Sequence, residues 1–123
     1  MNHLRLVLEE VKEKTGWYGF DLDGTLAQYE SGDGVEGIGT PIPAMVELAQ
    51  RLLAKGKEVR IMTARVGGAD AAHNEHQRDM IAAWTEKVLG KRLDVTNEKD
   101  PGMIVLYDDR AVQVVSNTGE LVE

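Results

Sequence analysis

The sequence predicts an α/β domain built on a mostly parallel sheet. Three observations carry this. Extended apolar runs alternate with helical-period segments along the chain, which implies right-handed crossovers between parallel strands. The run Met103-Ile104-Val105-Leu106-Tyr107 is apolar throughout, the pattern of a buried parallel strand. The length, 123 residues, suits one core and therefore a single domain over 1–123.

Each element has its own local signature. Leu4, Val7, Leu8 and Val11 share a helical face, and Gly16 is the stop of an N-terminal helix over residues 1–16. Trp17 to Leu22 reads as a short buried strand. Residues 24–40 contain five glycines and little periodicity, so a mobile flap loop is expected there. Met45, Leu48, Ala49, Leu52 and Leu53 mark a helix entered by Pro41 and Pro43 and closed by Gly56. A second strand covers Val59 to Thr63 and breaks at Gly67-Gly68 and Asp70. Met80, Ile81, Trp84 and Val88 form the apolar stripe of another helix, ending at Gly90. A short extended piece runs from Leu93 to Val95, and strands follow at 103–107 and at Ala111–Val115. Asn117-Thr118-Gly119 is turn chemistry. About five strands result, in a Rossmann-like three-layer α/β/α sandwich.

Composition narrows the function. There are no cysteines, which excludes disulfides, thiolate metal sites and thiol nucleophiles and fits a reducing cytoplasm. A net charge of −7 opposes binding to duplex nucleic acid or to an anionic membrane. No apolar run approaches the roughly 20 residues of a membrane span, and the N-terminus is too short and too charged for a signal peptide.

In parallel sheets ligands bind beyond the carboxyl ends of the strands. The first strand ends in Asp21-Leu22-Asp23-Gly24-Thr25-Leu26, the second in Thr63-Ala64-Arg65, and the apolar strand in Asp108-Asp109-Arg110, with Lys99 shortly before it. Four carboxylates converging at one edge repel one another unless a cation joins them. Hard oxygen donors at that density suit Mg²⁺. In extended chain Asp21 and Asp23 point the same way, and Gly24 lets the backbone turn without a Cβ clash. An ionised carboxylate is a nucleophile without a general base, while its neighbour can donate and recover a proton.

These residues resemble the four motifs of the haloacid dehalogenase superfamily of phosphotransferases, in the family's order and across residues 17–110. The resemblance implies a phosphatase without a large cap. Asp21 would be the nucleophile that forms an aspartyl-phosphate, and Asp23 the general acid and base. Thr63 and Lys99 would bind the phosphoryl group, with Gly24 and Arg65 beside them. Mg²⁺ would be held by Asp21, Asp108 and the backbone carbonyl of Asp23, with Asp109 acting through water or from the second layer of ligands. An Asp at position 23 favours phosphate esters over carbon–halogen bonds. Asp21 and Thr63 are 42 positions apart and Thr63 and Lys99 are 36 positions apart, too few for a cap beside the elements already there. A narrower similarity, through Thr63-Ala64-Arg65, the Arg78–Trp84 helix and Tyr107-Asp108-Asp109-Arg110, links the chain to the 3′-phosphatase domain of polynucleotide kinases and to small phage and bacterial hydrolases.

The expected substrate is a phosphorylated small molecule or a nucleic-acid end, and a homo-oligomer is compatible with the pattern. Plainer readings stand beside these. Thr63 can cap the segment after it, Lys99 can be a solvated surface lysine, and Arg65 can pair with a nearby carboxylate instead of substrate. Asp100 is an alternative carboxylate but lacks a strand end. His73 and His76 lie three apart without an obvious third metal ligand, and Trp84 reads as core. A receiver-type signalling domain uses similar residues, but in an order that places its Asp pair first. A catalytically silent module that binds a phosphorylated ligand or a protein is the remaining alternative.

Overall fold

The computed structural model describes residues 15–29 and 37–122. Its strands are β1 (Trp17–Phe20), β2 (Glu58–Met62), β3 (Asp94–Thr96) and β4 (Met103–Tyr107). Helix α1 (Pro43–Ala54) joins β1 to β2, and a 3₁₀ turn (Ala64–Val66) with helix α2 (Ala71–Leu89) joins β2 to β3. The four strands form one parallel sheet in the order β3-β2-β1-β4. The small parallel α/β domain expected from the alternation is therefore present, with four strands among the described residues where about five were expected.

Register explains where the core lies. Tyr18 pairs with Val59 and Val105, Phe20 with Ile61 and Tyr107, and Ile61 with Val95. These side chains share one face of the pleat and meet Leu48, Ala49 and Leu52 of α1 and Ile81, Ala82 and Leu89 of α2 in one cluster. Phe20 and Tyr107 stack at 4.7 Å between ring centroids. Steps from β1 to β2 to β3 run in one direction, so right-handed crossovers place both helices on that same face, where they touch.

The return to β4 passes through residues 97–102 without a helix. Among the described residues the helices therefore form one layer, not two; the expected helix over 1–16 lies outside the described residues apart from its last two. The opposite face is pinned by Trp17, whose indole N–H donates to Asp100 Oδ1 at 2.8 Å while the Arg60 guanidinium sits 4.7 Å above its ring. Gly19 is required there, since a Cβ would lie 2.9 Å from the Trp17 ring. No helix among the described residues is long and apolar enough to cross a membrane.

Two loops add detail to the expectations. Where a mobile flap over 24–40 was expected, both described ends are tied down. The Leu22 carbonyl accepts from the N–H groups of Thr25, Leu26 and Ala27, and Gln28 N–H donates to the Thr40 carbonyl at 2.8 Å. Leu26 and Ala27 are fully buried, and burial is what holds this glycine-containing turn; residues 30–36 lie outside the described residues. The expected strand at Ala111–Val115 instead folds back on residues 120–122. Val115 N–H donates to Glu120 O and Val122 N–H to Gln113 O, around a turn with positive φ at Asn117 and Gly119. Pairing across that tight turn closes a much shorter loop than pairing with the sheet.

Helix α2 is bounded as its sequence suggests. Asp70 Oδ1 accepts from the N–H groups of Ala72 and His73, and Gly90 closes the helix in the left-handed conformation. Its buried residues are Gln77, Ile81, Ala82, Thr85 and Leu89, so Trp84, expected in the core, lies at its margin. Thr85 is fully buried; its hydroxyl donates to the Ala82 carbonyl at 2.7 Å and accepts from Leu93 N–H at 2.9 Å, fastening α2 to the approach of β3. Thr85→Val keeps the shape but strands the Leu93 N–H. It is expected to cost about 1–3 kcal/mol in urea unfolding, whereas a change within a few tenths would remove this fastening role.

Candidate functional site

The site grows from the register of β1 with its neighbour β4, the edge strand. Phe20 and Tyr107 are partners across β1 and β4, so the next residues, Asp21 and Asp108, emerge side by side at the carboxyl edge. Asp21 N–H donates to the Tyr107 carbonyl at 2.9 Å, extending the ladder one step. Asp109 follows, and carboxylate oxygens of Asp21, Asp108 and Asp109 all lie within 4.8 Å of one another. Asp109, expected to act at one remove, is thus a full member of the cluster.

Burial pushes the Asp21 carboxyl up to about 7, helped by a hydrogen bond shared with Asp109 and by the charges of Asp108 and Asp109, against the backbone N–H of Leu22. Burial comes first because a partly buried carboxylate loses hydration that favours its charged form.

Thr25, which sequence reasoning used only as part of the motif, clamps the cluster. It is 6% exposed. Its Oγ1 accepts from Asp109 N–H at 3.1 Å, and its single hydroxyl proton can be donated to Asp109 Oδ1 (3.3 Å) or Asp21 Oδ2 (3.5 Å). Gly24 has φ +90°, and a Cβ there would lie 2.5 Å from Asp109 Oδ2. Gly24 therefore serves close approach of the β1 turn to Asp109. The signal for Thr25 was present in its position two residues past Asp23, next to the glycine that brings the turn against Asp109.

Thr63 leaves β2, the other neighbour of β1, and is 4% exposed. Its Oγ1 accepts from Arg65 N–H at 3.2 Å, the capping role, and its own N–H donates to Thr96 O. A hydroxyl that accepts still has its proton to give, so capping and phosphoryl binding are compatible.

Of the two expectations for Arg65, the structure shows the pairing with a carboxylate. Its Nε donates to Asp23 Oδ2 and its Nη2 to Asp23 Oδ1, both at 2.8 Å. Asp23 consequently faces Arg65, and its side chain is not part of the three-carboxylate cluster. Lys99 is also not where the motif order would put it. It is exposed in the loop between β3 and β4, next to Asp100, which accepts from the Trp17 indole at the amino end of β1. That loop descends from the carboxyl end of β3 to the amino end of β4, which carries it away from the edge. His73 and His76 are exposed near the start of α2, and no third ligand joins them among the described residues.

No family model matches the chain, and no curated protein does. The structure is similar to that of a conserved protein from Bacteroides thetaiotaomicron, with a TM-score of 0.52 and 18% identity over 80% of this chain and 78% of that one. At that identity the likeness speaks to the fold, a small α/β domain.

The raised Asp21 gives a signed prediction for the metal-free protein. Below pH 3.8 the group is protonated whether folded or unfolded and costs nothing. Between there and about 7 the folded state holds the extra proton, so stability falls as pH rises, and above about 7 the penalty is complete. In EDTA, Asp21→Asn should melt at a higher temperature than the wild type at pH 8, and the difference should shrink towards zero by pH 4. A difference independent of pH would contradict the strained cluster.

Proposed function

We propose that this chain is a Mg²⁺-dependent phosphomonoester hydrolase of the haloacid dehalogenase type. The observation that carries the reading is Asp21, just past the end of β1, clustered within 4.8 Å of Asp108 and Asp109, with the buried Thr63 at the end of the adjoining strand β2. Oxygen-only donors of this charge fit a hard divalent ion. Asp21, Asp108 and Asp109 would hold it, with the Asp23 carbonyl as the further ligand that the motif implies. When bound, Mg²⁺ supplies charge neutralisation for the cluster and for a dianionic phosphate.

The chain's own groups account for the steps. An Asp21 oxygen attacks phosphorus, and the ester P–O bond breaks with its electron pair on the leaving oxygen. Asp23 gives that oxygen a proton. Water then attacks phosphorus of the aspartyl-phosphate, Asp23 takes a proton from the water, and phosphate leaves with Asp21 restored. The Thr63 hydroxyl donates to a phosphoryl oxygen. Substrates of this reading are small phosphorylated metabolites, nucleotides or a 3′-phosphorylated nucleic-acid end, in the cytoplasm.

A catalytically silent phosphate-binding module is the second reading. It is favoured by Lys99 standing exposed and by Asp23 having both oxygens engaged.

Phosphate release separates the two. A panel of p-nitrophenyl phosphate, nucleotides, sugar phosphates and a 3′-phosphorylated oligonucleotide, each with Mg²⁺ and with EDTA, is expected to show Mg²⁺-dependent release. Asp21→Asn should lower it by at least about a thousandfold. Equal release from both proteins, or none on any substrate beside tight phosphate-ligand binding, would overturn the hydrolase reading.

A further inference from the structure

Arg65 reaches across three elements. Its two-pronged contact to Asp23 uses Nε and Nη2. Nη2 also donates to the Gly37 carbonyl at 3.0 Å, and Nη1 to Gln77 Oε1 at 3.4 Å. At least four of the five guanidinium N–H groups are therefore committed to protein. Gln77 lies on α2 and is 3% exposed, so its amide is a fixed post. The Arg65 backbone N–H is itself held by Thr63 Oγ1. A side chain anchored in this way is poorly disposed to leave for a substrate phosphate.

We infer that Arg65 is a positioning residue for Asp23, holding its carboxyl in the one orientation from which it serves the leaving group. The inference rests on the hydrolase reading above. Asp23 lies in the turn beyond β1, where its backbone makes one isolated bridge to Ala27, so its side chain takes its direction from Arg65. The chemistry favours the pair at the moment of transfer. As the ester P–O bond breaks, the proton passes from Asp23 to the leaving oxygen, and the carboxylate that remains accepts both prongs. A planar fork matches a carboxylate on both oxygens, which an ammonium cannot do. Both prongs are already made at 2.8 Å in the resting structure, so the fork fixes the plane of the carboxyl before substrate arrives.

Leaving-group dependence tests this. p-Nitrophenyl phosphate and phenyl phosphate have nearly the same shape, but only the second has a leaving group basic enough to depend strongly on a proton. kcat/KM for both would be measured with Mg²⁺ for the wild type, Arg65→Lys and Arg65→Ala. Arg65→Ala is expected to lower the phenyl phosphate value by about a hundredfold, the lower range for a positioned acid, and the p-nitrophenyl phosphate value by at least about tenfold less. Arg65→Lys keeps the charge without the fork and should shift the ratio in the same direction, including if the alanine variant does not fold. Equal losses on both substrates with a raised KM would assign Arg65 to phosphate binding and overturn the inference, as would no loss in either variant. A wild type that cleaves neither substrate would overturn the hydrolase reading and this inference together.

Discussion

The constraint on which the site depends is the repulsion among three carboxylates that the sheet forces into one place. Phe20 and Tyr107 are register partners, and the ladder continues through the Asp21 N–H to the Tyr107 carbonyl. Asp21 and Asp108 have no freedom to separate without breaking the pairing of β1 with β4. Thr25 and Gly24 then draw Asp109 in, the one through two hydrogen bonds to it and the other by lacking a Cβ. A fold that only needed a soluble edge would place water-facing residues here. This one holds negative charge together and partly buries Asp21 and Asp108, which raises the Asp21 carboxyl.

Charge is distributed unequally around this edge. Arg65 holds both oxygens of Asp23, while the carboxylates of Asp21, Asp108 and Asp109 crowd within 4.8 Å of one another. The partition gives two carboxylate environments a few residues apart, one matched to a guanidinium and one in which carboxylates face one another. Two groups with different neighbours can carry different tasks, nucleophile and metal ligand on one side and proton carrier on the other. The helices act at a distance, with α1 and α2 burying the face that carries Phe20 and Tyr107 and Gln77 of α2 meeting Arg65.

Much of this was legible in the chain itself. The apolar run at 103–107, the Pro43 entry and the Gly56 and Gly90 exits have local causes, so α1, α2 and β4 follow from pattern. The pairing of Asp21 with Asp108 was also legible, since both follow strands that a parallel sheet brings together. What was not legible depends on long-range contact. Thr25 and Gln77 acquire roles only when β4 and the 3₁₀ turn arrive beside them. Arg65 could have faced substrate or carboxylate, and packing against α2 decides it. Lys99 fits a motif by order alone, whereas its loop runs down towards β4. The segment 111–115 has strand-like composition, yet the Asn-Thr-Gly turn beside it gives a nearer partner than the sheet.

The most direct test is calorimetric titration of the wild type with Mg²⁺ at pH 7, in two buffers that differ in ionisation enthalpy. The account predicts one site per chain, with release of a fraction of a proton as Asp21, held near 7 without metal, gives up its proton to the ion. Asp108→Asn should weaken that site by at least about tenfold. No binding by the wild type, or binding that Asp108→Asn leaves unchanged, would contradict the claim that these three carboxylates were brought together to hold a cation.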